Sequence, residues 1–305
     1  MKFNRKFSTL FILSLVSICI VALGMRGIVA FDPLDYVRGV SIRKGEAKYE
    51  VREIPITIPS TRSNYIIEDK KVYEDILRNY LKTTLNVSNI DIEVICVYRL
   101  KEKPELGEAL VKVGDAYYLV RLNGNKPIAH IHLKPVLIKK ETGEEEITSP
   151  SIPEKASNPY VNITVVKLVK SYTYEVYELK LEQREFVQLA TIYAVTVDKG
   201  IEGKNVFGWT IWHLSAKSTT YILDWVLVIS VDDQSYYWIA SWAQWAWSCQ
   251  NFNHYAEVRA QGLYSYTWAE ADFINAPFGT VLQRIHAWSW IRVWFDGTVE
   301  ADSGA

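Results

Sequence analysis

From Gln234 to Ala256 the chain reads QSYYWIASWAQWAWSCQNFNHYA, without a single Asp, Glu, Lys or Arg. Few structures accept such a stretch. A membrane-spanning helix needs about 20 mostly apolar residues, whereas this run holds three Gln, two Asn and three Ser. A period of two fits better. Tyr236, Trp238, Ala240 and Trp242 fall on one side, and Tyr237, Ile239, Ser241 and Ala243 on the other, as along a strand. The run sits in a wider aromatic region: all eleven tryptophans lie between Trp209 and Trp294, and the 208 residues before Trp209 contain none.

Around it, runs at 160–170, 171–182, 186–198, 206–216, 219–231, 235–248, 254–271 and 280–295 are rich in Val, Ile, Tyr, Thr and Trp. Asp198-Lys199-Gly200, Asp232-Asp233 and Asp296-Gly297 read as turns between them. No helical period long enough for a crossover appears, so the strands are expected to be antiparallel. The fold expected for 160–305 is a mainly β, Trp-rich antiparallel β-sandwich or jelly-roll-like domain.

Upstream, Val72, Tyr73, Ile76, Leu77, Tyr80 and Leu81 recur at helical spacing behind a capping Asp69, which predicts a helix over 69–84. Strand-like runs follow at 91–100, 109–122 and 127–138, with turn chemistry at Gly114-Asp115 and Asn123-Gly124-Asn125, and another lies at 49–58. Residues 31–138 are therefore expected to form a small α+β domain. Residues 139–159 (KKETGEEEITSPSIPEKASNP) combine charge, Ser, Thr and Pro with little to bury, and read as a linker.

Residues 1–30 have the pattern of a secretory signal peptide: Lys2, Arg5 and Lys6 precede an apolar run from Leu10 to Met25, with cleavage expected near Ala30 and Phe31. If uncleaved, the same segment is a membrane anchor. Cys96 and Cys249 remain after cleavage, and two independent thiols are expected rather than a disulfide framework. The sequons at Asn86 and Asn162 fit an exported, glycosylated chain. Localisation is accordingly expected to be secreted or at the cell surface.

Net charge is −1, so the chain as a whole carries no strong field. Residues 31–145 hold nineteen Lys+Arg against eighteen Asp+Glu; residues 159–305 hold ten against fifteen. An acidic aromatic region argues against nucleic acid, because a single-strand platform pairs its rings with a basic groove.

The strand Ile285–Phe295 sorts most clearly. Ile285, Ala287, Ser289, Ile291, Val293 and Phe295 form a core face; His286, Trp288, Trp290, Arg292 and Trp294 form the opposite one. The second face is a candidate platform for sugar rings, with Arg292 and His286 supplying hydrogen bonds. The alternative is that another part of the chain, or another copy, covers it.

Glu270 and Asp272 form an E-x-D pair on one strand face, a spacing at which two carboxylates influence each other's ionisation. The fragment Glu270-Ala271-Asp272-Phe273-Ile274-Asn275 resembles the E-x-D-x-x-E signature of jelly-roll β-glucanases. That resemblance implies glycoside hydrolysis, but Asn275 stands where the family has its third carboxylate, so the activity is not carried over. His130 and His132 (H-x-H) lack a third ligand at a telling spacing, and no metal or cofactor is expected. His213 or His254 with Asp224 or Asp233 and a Ser makes only a nominal triad without a nucleophile elbow. The expected function is non-catalytic binding of carbohydrate or cell-envelope polymer, or adhesion. The alternatives are an exported glycanase-like hydrolase with an N-terminal pro- or regulatory domain, and a structural surface protein that self-associates through its aromatic face.

Overall fold

Residues 64–88, 90–147, 166–182 and 188–305 are described by a computed structural model. The expected signal segment, the strand at 49–58, the second half of the expected linker and Asn162 lie outside them. Asp69 caps as its sequence position suggests: its carboxylate accepts the Lys71 N–H at 3.1 Å and opens a single 3-10 turn, Lys70–Val72. Helix α1 follows at Glu74–Thr84. Its apolar stripe is narrower than the sequence pattern. Tyr73, Leu77 and Leu81, spaced by four, are buried, whereas Val72 and Ile76 are exposed.

The strands are β1 (Tyr65–Glu68), β2 (Ile92–Leu100), β3 (Leu106–Val113), β4 (Ala116–Asn123), β5 (Lys126–Ile147), β6 (Lys167–Leu181), β7 (Ile192–Lys204), β8 (Thr210–Leu223), β9 (Leu227–Asp233), β10 (Tyr236–Ile239), β11 (Trp247–Arg259), β12 (Tyr264–Asn275), β13 (Gln283–Trp294) and β14 (Val299–Gly304). All are paired antiparallel, and the protein is mainly β. β1 to β8 form one continuous meander whose last edge is shared by β9 and β10. β11 to β14 form a second, four-stranded meander. Neither has the crossing order of a jelly roll, so the sandwich alternative describes the C-terminal part.

The long sheet curls almost into a barrel. One face of β2–β4 holds α1 through Ile92, Val94, Val97, Val111 and Val120. The other face turns Ile95, Tyr98, Leu110 and Leu119 inward to meet Leu179, Ile192, Tyr221, Leu223 and Ile229 of β6–β9. Polar latches close the curl. Tyr65 Oη donates to Asp224 Oδ2 at 2.9 Å, and Asp224 Oδ1 accepts the Thr191 N–H at 2.7 Å. Glu108, fully buried, accepts from Tyr98 Oη at 2.6 Å and from Arg121, and the Leu189 N–H points at it.

This core corrects two expectations. Residues 139–147, read as the start of a linker, are the second half of β5 and pair with Leu168–Val176 of β6. Their charges face solvent or pair across the strands, as Lys140 does with Glu175 at 2.8 Å, so a segment without a hydrophobic run still makes a ladder. The α+β part consequently shares its sheet and its core with the strands that follow it. Asp198-Lys199-Gly200, read as a turn, lies within β7, between Ser171–Thr173 of β6 and Ser215–Lys217 of β8.

The second sheet lies face to face on β7–β9. Trp212 stacks on Phe273, with ring centroids 4.3 Å apart and planes at 10°. Gly203 leaves the space for that indole: a methyl group there would collide with the Trp212 ring. Hydroxyls complete the seam. Ser289 donates to the Lys199 carbonyl at 2.6 Å, Ser303 to the Gly200 carbonyl at 3.0 Å, and Thr220 and Ser265 share a bond of 2.7 Å. Inter-sheet contact at serine and threonine lets the backbones approach more closely than aliphatic side chains would.

Candidate binding face of the second sheet

The register of β13 is the one its sequence suggests. Ala287, Ser289, Ile291 and Val293 are buried against the long sheet, and Trp288, Trp290, Arg292 and Trp294 are half-buried on the outer face. Directly opposite residues of antiparallel strands share a face, so pairing builds the rest of the outer surface. Trp294 faces Tyr264; Arg292 faces Tyr266 and Glu300; Trp290 faces Trp268; Trp288 faces Glu270 and Gly304; His286 faces Asp272. From β11, Tyr255 faces Trp268 and Asn253 faces Glu270.

Two zones result. In the first, aromatic rings interleave with guanidinium groups. Arg292 lies over Tyr264 at 5.0 Å and near Trp294 and Trp290, while its Nη1 donates to Glu300 at 3.1 Å. Arg259 covers Tyr266 at 4.6 Å. Here Arg292, expected as a ligand donor, instead binds the sheet's own rings and a neighbouring carboxylate. This zone is largely satisfied from within.

The second zone is polar and more open. His286 bridges the two carboxylates, with Nδ1 3.1 Å from Asp272 Oδ1 and Nε2 3.6 Å from Glu270 Oε2. Asn251 donates to Asp272 at 2.8 Å and Asn253 to Glu270 at 3.3 Å. The Asn251 bond, aided by His286, holds the Asp272 carboxyl below the usual range. Beside this comb the Trp288 indole lies across Gly304. Three of its ring atoms come within 2.5–3.1 Å of where a Gly304 side chain would begin. The ring therefore lies flat along the sheet, and only glycine at 304 permits it.

A glycosidase acid needs a raised pKa, and Asp272 is shifted the other way. The residues paired with Glu270 and Asp272 on both neighbouring strands are Asn253, Gln250, Trp288 and His286, so no carboxylate stands across from them.

Other sequence candidates fall elsewhere. His130 and His132, on β5, flank Tyr118 of β4; His130 also meets Tyr80 and His132 meets Glu182. Among the described residues no three His, Cys, Asp or Glu gather as a metal site. His254 does meet Asp233, at 2.8 Å, but the nearby Ser235 hydroxyl turns to the Lys217 carbonyl. His213 is buried against Tyr236 and Trp238, 3.4 Å from Glu202, and among the described residues no hydroxyl is bonded to its ring. Asp224 is spent in the latch with Tyr65. Cys96 is buried, Cys249 half-buried, and both are free; burial pushes their thiols up, to about 12 and about 11. Asn86 is exposed just beyond α1.

Sequence reasoning passed over Asn251, Asn253, Tyr255 and Trp268. Their alternation along β11 and β12 is visible, but only the register places them beside β13. No known protein family, no characterised protein and no solved structure matches this chain.

Proposed function

We propose that the protein is a non-catalytic, exported binding protein that holds a carbohydrate or cell-envelope polymer on the outer face of its second sheet. The observation that carries this reading is the pairing of Trp288 with Glu270. A flat, half-exposed indole lies directly opposite a carboxylate that Asn253 and His286 hold in place. A sugar ring has the same two-sidedness, with an apolar C–H face for an indole and hydroxyls at its rim for fixed acceptors. The platform widens through Trp268 and Trp290, which continue the row along the strands.

The test is affinity electrophoresis of the full chain through gels containing neutral polysaccharides. Retardation by at least one polymer is expected, and Trp288→Ala and Glu270→Gln should each remove it while circular dichroism stays that of the parent. Absence of retardation by any polymer, or retardation that survives both substitutions, overturns the reading.

A further inference from the structure

Away from the sheet faces, three loops come together at one end of the sandwich: 205–209 between β7 and β8, 240–246 between β10 and β11, and 276–282 between β12 and β13. The middle loop carries the chain from the first sheet to the second. Ala240 N–H donates to the Ile211 carbonyl at its start, and Ala276 N–H to the Ala246 carbonyl at its end, both within 2.8 Å. It thereby ties the other two loops beside it. A strand was expected through this stretch, but pairing stops at Ile239 and resumes at Trp247.

These loops turn their largest apolar side chains outward. Phe207 is 77%, Trp209 64%, Trp245 68% and Phe278 97% exposed. Trp242, Val281 and Leu282 are exposed beside them. The rings touch one another at tilted or T-shaped angles rather than burying: Phe207 meets Trp209, Trp209 meets Trp242, and Trp245 meets Phe278, with centroids 5.9–6.2 Å apart. The backbone holds them out. Phe278 sits at φ +58° between Pro277 and Gly279, a left-handed conformation that bulky residues rarely adopt. Exposed apolar clusters of this kind mark contact surfaces.

The charge pattern selects the partner. Residues 205–211, 236–249 and 275–283 contain no Asp, Glu, Lys or Arg, and the nearest charges at their flanks are Lys204, Asp233, Asp272 and Arg284, two of each sign. A protein partner or an anionic ligand would be steered by rim charges. A cluster of Trp and Phe side chains on separate loops, uncharged and exposed, instead has the chemistry of the belt at which proteins meet the bilayer interface, where indoles sit at headgroup level. We propose that the 205–209, 240–246 and 276–282 loops form a membrane-inserting tip that docks the sandwich on a zwitterionic lipid surface, independently of the N-terminal apolar run.

The distribution of tryptophan makes this testable on the full chain, because the N-terminal run has none and every indole lies in 209–294. Vesicles of brominated phosphatidylcholine quench indoles that enter the bilayer. Tryptophan emission should be quenched equally with and without added phosphatidylserine, and equally at low and high salt. Phe278→Asp and Trp245→Asp, both at exposed positions, should raise the lipid concentration for half-quenching about tenfold, the effect of roughly one to two kcal/mol of lost insertion energy. Flotation of the chain with vesicles but without quenching places attachment in the N-terminal segment and overturns the proposal. Quenching that requires phosphatidylserine and vanishes in salt overturns it in favour of charge adsorption. A sedimentation shift from dimer to monomer in lipid-free Phe278→Asp assigns the tip to a second copy and overturns it as well.

Discussion

Trp212 of the long sheet and Phe273 of the second sheet lie parallel, 4.3 Å apart, and both are fully buried. The pair fixes how far the two sheets stand from each other and which residues of β12 face inward. Ala269, Ala271 and Phe273 go in; Glu270 and Asp272 must go out. The outward orientation of Glu270 and Asp272 thus depends on a stack on the reverse side of the sheet.

Trp212→Ala is expected to destabilise the protein by about 3–5 kcal/mol, the range for deleting a buried aromatic side chain. The double variant with Phe273→Ala should show a coupling of about 0.5–1.5 kcal/mol in chemical denaturation. Strictly additive losses would mean that the stack contributes only area.

The faces of β13 should respond differently. Ile291 is 1% exposed, and Ile291→Ala should cost about 2–5 kcal/mol. Trp290 is half-buried over Tyr266 on the outer face, so Trp290→Ala should lower the melting temperature by less than Ile291→Ala does. Equal losses would show that the outer face is covered in solution.

Cleavage within the polar residues 148–159 should not separate the chain into two particles. β5 and β6 pair over Leu133–Ile147, and one core joins Tyr98 and Leu119 to Ile192 and Tyr221. After limited proteolysis, size exclusion should give a single peak containing both fragments. Fragments that elute apart without denaturant would contradict the shared core.

Acid stability should depend on Glu202. His213 foremost, then Lys204, lowers its pKa from 4.5 to about 2, and the Thr210 hydroxyl also donates to it. A depressed carboxylate pKa stabilises the fold fully above 4.5, and that stabilisation is lost as pH falls towards about 2. Glu202→Gln should be less stable than the parent near neutrality, and the gap should close across that window in denaturant titrations. A gap that stays constant with pH would remove the linkage.

Much of this was legible in the residues. Asp69 and the Leu77/Leu81 spacing located the helix, Gly114-Asp115 and Asp296-Gly297 located turns, and alternation along 285–295 sorted its inner and outer faces, because a strand buried on one side repeats every two residues. Charge and composition misled where pairing, not burial, makes the strand: the Lys- and Glu-rich 139–147 segment completes a ladder through β6, and Asp198-Lys199-Gly200 is held in β7 from both sides. The same limit hid the candidate site. Glu270, Trp288, Asn253 and Gly304 are distant in sequence and meet only through the β11–β12–β13–β14 register. Local sequence carries the period of an element; which elements become neighbours is set by how the whole apolar surface closes, and that lies in no single stretch.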